Sequence, residues 1–284
     1  MSYTIPGSNT LLLGATGSGK TYSLRSFASA GVQTFILFTE PGMRTVSDIP
    51  CSDGIHWRYI SPATASFTDM ASAADKVNKA FDLEALTKQK NWDKQKYRQW
   101  MDVLTTMNEF VCDRCGVNYG GVDSWQTDRC LAIDSLSGLN LMAMDFVAGP
   151  KPVKAPADWG TAMAQLEGFL NRMCSGTQCH FVLTAHLERE RDEISGGVQL
   201  MASTLGQKLA PKIPRYFDDV ILCRRTEATF TWSTAANNVD VKARNLPISD
   251  KLSPSFGDLL TSWKKAGGLI QQTVSEVTPL KTVS

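Results

Sequence analysis

The sequence predicts an α/β fold in which helices cover both faces of a mostly parallel sheet that ends in an antiparallel edge. Short apolar runs alternate with segments of helical periodicity from the N-terminus to about residue 184. This alternation favours parallel strands, because each return to the same edge of the sheet needs a long crossover connection. Near the C-terminus, apolar runs follow one another without helices between them, which favours antiparallel pairing.

Short apolar runs, and alternating apolar and polar residues near the C-terminus, predict the individual strands. They cover residues 11–13, 34–38, 56–60, 131–133, 180–184, 219–225, 228–234 and 239–245. The clearest helix lies between the fourth and fifth of these runs and ends at Gly176. Its apolar face consists of Trp159, Ala162, Met163, Leu166, Phe169, Leu170 and Met173. Residues from about 68 to 110 also have helical periodicity, with a break near Asn91.

The chain has no internal repeat and no low-complexity linker, so we expect one domain over residues 1–284. Residues 62–128, which are first helical and then rich in turn residues, are interpreted as an insertion into this domain. The polar residues 273–284 are expected to form a flexible tail.

Composition excludes several classes of protein. Of the 284 residues, 43% are hydrophobic and 20% are charged, which excludes wholesale disorder. No apolar run approaches the ~20 residues needed to span a bilayer, and the first residues lack the features of a signal peptide. We therefore expect a cytoplasmic protein, and seven scattered cysteines suit a reducing compartment. The net charge of +1 argues against a globally basic nucleic-acid-binding surface, although not against a local one.

Residues 14–21 match the phosphate-binding pattern GxxxxGK[ST] at each required position, directly after an apolar run and before a helical segment. In such a loop the backbone N–H groups surround a phosphate, the lysine reaches the β- and γ-phosphates, and the threonine hydroxyl ligates Mg²⁺. The sequence therefore predicts a nucleoside triphosphate site. Its residues are Gly14, Ala15, Thr16, Gly17, Ser18, Gly19, Lys20 and Thr21.

Three polar residues at predicted strand ends complete this site. Asp134 follows the apolar run 131–133 and is the candidate second Mg²⁺ ligand, with a turn-forming aspartate as the alternative. Glu40 follows the second strand and is a candidate for orienting or deprotonating the attacking water, with a solvated loop glutamate as the alternative. His186 follows the fifth strand and is a candidate sensor of the γ-phosphate, with a structural histidine as the alternative.

The order of these motifs resembles that of the RecA-like ATPase superfamily, especially the Asp134–Ser135 pair in the segment LAIDSLSGL. Within that superfamily, the segments TEPG, VLTAH and PKIPRYFDDVIL resemble phage-encoded, Sak-type single-strand annealing ATPases. The resemblance covers about residues 8–250. It implies a RecA-like core, ATP and Mg²⁺ as cofactors, and a role with single-stranded DNA in phage recombination, annealing or replication. A homo-oligomer and a single-strand-binding protein are the implied protein partners.

Lys242 and Arg244 have a spacing similar to the paired basic residues of RecA and of DnaB-type helicases. In those families the pair reaches the nucleotide of the neighbouring subunit, where cations stabilise charge in the transition state. The resemblance therefore implies a catalytic role in trans for both residues. Solvated strand residues are the alternative.

The resemblance also implies DNA-binding loops after the Asp134 strand and after the His186 strand. In this chain they correspond to Gly138–Asp158, with Lys151 and Lys154, and to Leu187–Pro214. The second, with the adjoining Arg215, carries cations offset by acidic residues: Arg189, Arg191, Lys208, Lys212 and Arg215 against Glu188, Glu190, Asp192 and Glu193. A third basic stretch runs from Lys76 to Arg98 and includes Phe81, Trp92 and Tyr97. The solvated face of a helix is its alternative interpretation.

Cys112 and Cys115 have the spacing of half a zinc site. Cys130 is near in sequence, but no second CxxC or HxxxH pair is present to complete four ligands. Free thiols in a loop are therefore the favoured interpretation, with a weak metal site as the alternative.

Two other functions remain open. A nucleotide-switched loading or assembly factor would use the same phosphate-binding loop to dock on a protein partner. A small-molecule kinase would need an arginine-rich lid, and no such segment is recognisable in the sequence.

Overall fold

A computed structural model describes residues 4–63, 66–79, 96–149, 151, 153–191, 198–206 and 208–274 of the chain. In this part the strands, in chain order, are β1 (Asn9–Leu13), β2 (Gln33–Phe38), β3 (Ile55–Tyr59), β4 (Arg129–Asp134), β5 (His180–Ala185), β6 (Leu187–Arg191), β7 (Val198–Ala202), β8 (Asp219–Thr226) and β9 (Thr229–Ser233). The helices are α1 (Lys20–Ser23), α2 (Arg25–Ser29), α3 (Phe67–Lys79), α4 (Gln99–Asn108), α5 (Leu136–Ala148), α6 (Pro156–Gly176) and α7 (Phe256–Lys265).

Seven of these strands form the main sheet, in the order β3-β2-β4-β5-β1-β8-β9. Each neighbouring pair is parallel except β8 and β9, which form an antiparallel hairpin at one edge. The predicted α/β class, with its mostly parallel sheet and antiparallel C-terminal edge, is therefore confirmed. The carboxyl ends of β1, β2, β4 and β5 lie at the same edge, which is where ligands bind in sheets of this kind.

Both faces of the sheet are buried because successive side chains of a strand point to opposite sides. Leu11 and Leu13 pack on one side with Leu139 of α5 and Leu166 of α6. On the other side, Leu12 packs with side chains of α2 and α7, namely Phe27, Phe256, Leu259 and Trp263. A strand buried on both faces reads as a continuous apolar run, and this is why β1, β2, β4 and β5 could be recognised in the sequence.

Helix α6 matches the predicted periodic segment and ends at Gly176. Residues 62–128 connect β3 to β4, with α3 and α4 in their described part. Residues 239–245 were expected to form a strand, and this is wrong. They make isolated contacts instead, such as the antiparallel bridge between Lys242 and Val220.

Both outer strands of the main sheet are partly covered by other segments of the chain. At β3, the backbone N–H of Asp113 donates to Trp57 O at 2.8 Å, and the carboxylate of Asp113 accepts from the N–H of Tyr59 at 2.8 Å. At β9, Trp232 and Leu252 exchange two backbone hydrogen bonds, each of 2.9 Å. Neither edge therefore presents all its backbone groups to solvent.

Among the residues that the structure describes, no helix combines the length and the apolar character that crossing a membrane requires.

Candidate nucleotide-binding site

The phosphate-binding loop connects β1 to α1 at the carboxyl edge of the sheet. Its backbone requires glycine at two positions, because Gly17 and Gly19 have φ angles of 75° and 86° in the left-handed region. Gly14 is required for space, since a Cβ there would lie 2.4 Å from Ser18 Oγ and 2.8 Å from Cys223 O. Each of these three glycines is thus required for a specific structural reason, which would not be expected of a chance glycine-rich turn.

Lys20 begins α1 and is 6% exposed. Its Nζ donates hydrogen bonds to the carbonyl oxygens of Gly14 and Ala15, at 2.7 and 2.9 Å. Burial lowers the pKa of Lys20, and the charges of Asp134 and Glu40 are among the groups that oppose this shift. The ammonium group is therefore held by neutral carbonyls inside the loop, where an incoming phosphate can become its anionic partner.

Asp134 ends β4 and lies next to the loop. Its Oδ2 accepts from the hydroxyl of Thr21 at 2.6 Å, and its Oδ1 accepts from the hydroxyl of Thr184 at 2.5 Å. Carboxylate and hydroxyl oxygens are hard ligands of the kind that Mg²⁺ prefers. Thr21 and Asp134 therefore fit the predicted metal position, and Thr184 orients the carboxylate from β5.

Thr39 fixes the position of this carboxylate by joining the ends of β2 and β4. Its backbone N–H donates to Asp134 O at 2.8 Å, and its hydroxyl oxygen lies 2.7 Å from Ser135 O and 2.8 Å from Ser135 N. Helix α5 begins immediately afterwards and packs closely, since a Cβ on Gly138 would lie 2.3 Å from Thr39 Oγ1. Thr39 and Thr184 were not identified from the sequence, because a hydroxyl at a strand end carries no local pattern.

Glu40 and His186 meet across the cleft. Glu40 Oε2 lies 3.3 Å from His186 Nε2, and both side chains are about one-third exposed. They come from the ends of β2 and β5, which are separated in the sheet by β4. The three residues predicted at strand ends are thus brought to one place beside the phosphate-binding loop.

The cleft that these residues border has a volume of about 520 Å³. It is lined by residues 16–22 of the loop and α1, by Glu40, Pro41, Gly42 and Thr45 after β2, and by Asp134, His186 and Phe230. Phe230 of β9 is close enough to the loop that a Cβ on Gly19 would lie 2.8 Å from its ring. The exposed Arg225 of β8 approaches from the same hairpin, with its guanidinium 5.6 Å from the Phe230 ring centre. Neither residue can be identified from the sequence, because the hairpin reaches the loop only in the folded chain.

Lys242 and Arg244 lie elsewhere. Lys242 pairs with Val220 at the beginning of β8, whereas the loop follows the end of the parallel strand β1. Lys242 Nζ donates to Phe217 O at 2.6 Å, and Arg244 donates to Asp218 at 2.7 Å. Both are therefore at the opposite edge of the sheet from the nucleotide site of their own chain, and their role in trans stays a prediction.

The first predicted DNA-binding loop, Gly138–Asp158, is wrong over much of its length. Its first part belongs to the largely buried helix α5, and its last part begins α6. Lys151 is paired with Asp158, at 3.0 Å between Nζ and Oδ1. Lys154 is among the few remaining loop residues.

The second predicted DNA-binding loop, Leu187–Pro214, contains more regular structure than expected. β6 and β7 form an antiparallel ribbon that begins directly after His186. Lys212, one of the cations of this predicted loop, lies 3.2 Å from Glu167 Oε2. Asp192 and Glu193 lie outside the described residues, as does most of the third basic stretch, Lys76–Arg98, including Phe81 and Trp92.

Comparison with known families identifies the chain at a coarser level than the resemblance seen in the sequence. A family model described as an AAA domain matches residues 7–246, which includes the loop, β4, the β6–β7 ribbon and the β8–β9 hairpin. No curated protein matches the chain. The match covers most of the sequence and every residue of the cleft described above, so the protein belongs to the AAA-domain family of P-loop ATPases.

Proposed function

We propose that the protein is a Mg²⁺-dependent ATPase that acts on single-stranded DNA during phage recombination, annealing or replication. The observation that carries the ATPase part is the meeting of Lys20, Thr21, Asp134, Glu40 and His186 in one cleft. These residues come from a loop and three strand ends, and together they provide the phosphate, metal and water contacts that NTP hydrolysis needs.

Each side chain has a task set by its position. Lys20 would exchange its carbonyl partners for the β- and γ-phosphates, and Thr21 and Asp134 would hold Mg²⁺, which would supply charge neutralisation for the phosphates. Glu40 accepts a proton from, or orients, the attacking water. His186, in contact with Glu40, changes its hydrogen bonding when the γ-phosphate leaves.

The β6–β7 ribbon supports the DNA part of the proposal. Side chains alternate along a strand, so Arg189 lies on the opposite face of β6 from Glu188 and Glu190. Arg189 is exposed and lies opposite Leu200, which packs against the hydrophobic core, and the exposed Val198 shares that face. An exposed cation on the ribbon suits a strand of nucleic acid, whose phosphates attract positive charge.

The ribbon is also joined to the candidate sensor. β6 begins one residue after His186, and the N–H of Ser203, just beyond β7, donates to His186 O at 2.8 Å. The start of β6 and the end of β7 are thus both attached to His186, the residue that contacts Glu40. A change at His186 on hydrolysis would move the ribbon, and DNA held by the ribbon would affect hydrolysis in return.

Assembly into a homo-oligomer is the remaining part of the proposal. Arg244 is 66% exposed despite its contact with Asp218, so its guanidinium is available to a neighbouring subunit. A cation supplied in trans would make hydrolysis depend on assembly. Arg244→Ala should then lower the ATPase rate at high protein concentration, with no effect on nucleotide binding by the dilute protein.

The first experiment measures steady-state ATP hydrolysis with and without single-stranded DNA, in Mg²⁺ and after its removal by EDTA. Lys20→Ala should lose hydrolysis by about a hundredfold or more, as expected for removal of a group that stabilises transition-state charge. Lys264→Ala, an exposed lysine at the end of α7, is the matched control. Hydrolysis that survives Lys20→Ala would contradict the proposed site.

The DNA part is tested by the same assay. We expect single-stranded DNA to stimulate the wild type, and Arg189→Ala to reduce this stimulation more than Glu190→Ala on the opposite face of the ribbon. Hydrolysis that ignores DNA and responds to a protein partner instead would replace this role with that of a loading or assembly factor.

A further inference from the structure

The sequence leaves free thiols or a weak metal site open for Cys112 and Cys115, and the structure places two further possible ligands beside them. Cys51 lies in the connection between β2 and β3, and His56 is the second residue of β3. Both residues are close enough to the turn that contains Cys112 and Cys115 to form a cluster with it. The four possible ligand atoms all lie within 4.8 Å of one another. We call Cys51, His56, Cys112 and Cys115 the cysteine–histidine cluster.

We propose that the cysteine–histidine cluster is a structural zinc site with three thiolate ligands and one imidazole ligand. Four protein ligands with no open position are typical of structural rather than catalytic zinc. A tetrahedral set of sulfur and nitrogen donors favours zinc over magnesium or calcium, which prefer oxygen.

The distances in the cluster approach those of tetrahedral coordination. Zinc bonds of about 2.3 Å to sulfur and about 2.0 Å to nitrogen place neighbouring ligand atoms roughly 3.5–3.8 Å apart. Cys51 Sγ lies 3.9 Å from Cys112 Sγ, and Cys115 Sγ lies 3.9 Å from His56 Nδ1. Only small side-chain rotations are needed to bring all four atoms onto one ion.

The surroundings supply the secondary contacts that such sites use. The N–H of Arg114 points to Cys112 Sγ at 3.4 Å, and the Tyr119 hydroxyl lies 3.7 Å from Cys115 Sγ, so both can donate to thiolates. With Nδ1 directed at the sulfurs, His56 carries its proton on Nε2, which lies 3.1 Å from the side-chain amide of Gln33. Rotation of that amide presents its oxygen as the acceptor, which would fix the ring and its tautomer.

The scaffold holds the ligands in place without the ion. His56 is 1% exposed and stacks on Phe35, with ring centres 4.9 Å apart. Cys112 is also 1% exposed, and its N–H donates to Val117 O at 3.0 Å within the turn. Cys115 is exposed and leaves a path by which an ion can enter. Binding converts three thiols to thiolates and releases their protons to solvent.

The site would fasten the end of the 62–128 segment to the outer strand of the sheet. Cys112 and Cys115 flank Asp113, which hydrogen-bonds the edge of β3, and Arg114, whose guanidinium lies 4.3 Å from the Trp57 ring centre. The cluster is at the beginning of β3, away from the carboxyl edge that carries the nucleotide cleft. Its role is therefore independent of the proposed ATPase chemistry.

The test measures the zinc content of the full chain, purified under reducing conditions without added metal. We expect about one zinc ion per chain by mass spectrometry of the element. Cys115→Ser and His56→Ala should each reduce bound zinc roughly tenfold or more, because three ligands leave the site open. His56→Cys should retain zinc, since four thiolates also form structural sites. Cys174→Ala, a cysteine outside the cluster, is the control.

A second measurement uses only the wild type, so that it does not depend on whether the variants fold. Wild-type protein stripped by a chelator is supplied with Zn²⁺ or Co²⁺ alone. Zinc should raise the melting temperature by about 5 °C or more, and cobalt should give the intense visible absorption of a tetrahedral thiolate complex. Wild type that holds no zinc when purified under reducing conditions, or stripped wild type whose melting temperature is unchanged by Zn²⁺, would overturn the proposal.

Discussion

The nucleotide cleft and the cysteine–histidine cluster are two sites of the same chain that differ in how their residues are arranged along it. The cleft is built around eight consecutive residues, 14–21, whose spacing alone indicates phosphate binding. The cluster takes its four ligands from three places between Cys51 and Cys115, and only half of it has a recognisable spacing. A motif is visible in a sequence when the geometry that it needs is local, and is lost when the fold must supply that geometry.

The cleft itself shows both cases. Lys20 and Thr21 belong to the motif, whereas Asp134, Glu40 and His186 are single residues at the ends of separate strands. They could be predicted because parallel strands place their carboxyl ends together. No comparable rule places Cys51 next to Cys112, because one begins a short 3-10 helix between β2 and β3 and the other lies at a turn.

The largest expected effect is on ATP hydrolysis, when one of these separate residues, Glu40, is replaced. Glu40→Gln removes the carboxylate that would accept a proton from water while keeping its size. We expect hydrolysis to fall by roughly a hundredfold to ten-thousandfold with little change in ATP affinity. Single-turnover hydrolysis and equilibrium nucleotide binding separate the two effects. A variant with unchanged turnover would reduce Glu40 to a partner of His186.

Asp134→Asn tests the predicted metal ligand in the same cleft. The amide keeps a hydrogen-bond acceptor for Thr21 but loses the charge that holds Mg²⁺, so hydrolysis should fall by about a hundredfold and need more Mg²⁺. Titration of the ATPase rate with Mg²⁺ measures this. Asp75→Asn on α3 is a control, and zinc content should stay the same in both variants. Loss of zinc in Asp134→Asn would mean that the two sites are not independent.

Two glycine substitutions compare crowded and open helix positions. Gly138→Ala in α5 places a Cβ 2.3 Å from Thr39 Oγ1, so we expect a loss of about 1–3 kcal/mol in the free energy of unfolding. Gly160→Ala in α6 meets no atom within 4 Å and should stabilise the protein by up to about 1 kcal/mol. Urea denaturation of both variants gives the comparison. Equal effects would show that Thr39 is not closely packed under α5.

His180 provides a smaller effect that depends on pH. Burial lowers the pKa of His180 to about 3, and its Nδ1 accepts from the N–H of Ser8 at 3.0 Å. The unfolded chain binds a proton near pH 6.5, whereas the folded chain does not until about pH 3. Stability should therefore fall as the pH drops below 6.5, by roughly 1 kcal/mol per pH unit.

The matched variant for this prediction is His180→Gln, which cannot titrate. Its free energy of unfolding should be lower than that of the wild type at pH 7 and should depend less on pH between 6.5 and 5. Denaturation curves at several pH values measure the two slopes. Parallel slopes would assign the acid sensitivity to other groups.

The sequence allowed the core of the fold to be predicted better than its margins. β1, β2, β4 and β5 are buried on both faces, so their runs of apolar residues are unbroken. The resemblance predicts a DNA-binding loop where the structure has helix α5, whose buried residues include Leu136, Leu139 and Met142. The β6–β7 ribbon is not recognisable from the sequence because the charged residues of β6 resemble an irregular polar segment.

The paired basic residues show a different limit. Lys242 and Arg244 were assigned to a strand because Val239 and Val241 alternate with polar residues. In the structure, Asp219 instead accepts hydrogen bonds from the backbone N–H groups of Arg244 and Asn245, at 2.8 and 2.9 Å. A side-chain acceptor can replace a strand partner for this backbone, and alternation alone does not reveal the difference.

The coverage of the two outer strands has a consequence for the behaviour of the protein at high concentration. Unpaired strand edges are templates on which copies of a protein add to one another and aggregate. Asp113 occupies part of the β3 edge and Leu252 part of the β9 edge, so the chain caps its own sheet at both ends. The turn between Cys112 and Cys115 therefore hinders edge-to-edge pairing of sheets from different copies of the protein. When this turn is detached from β3, the protein should aggregate before it loses its ability to bind nucleotide.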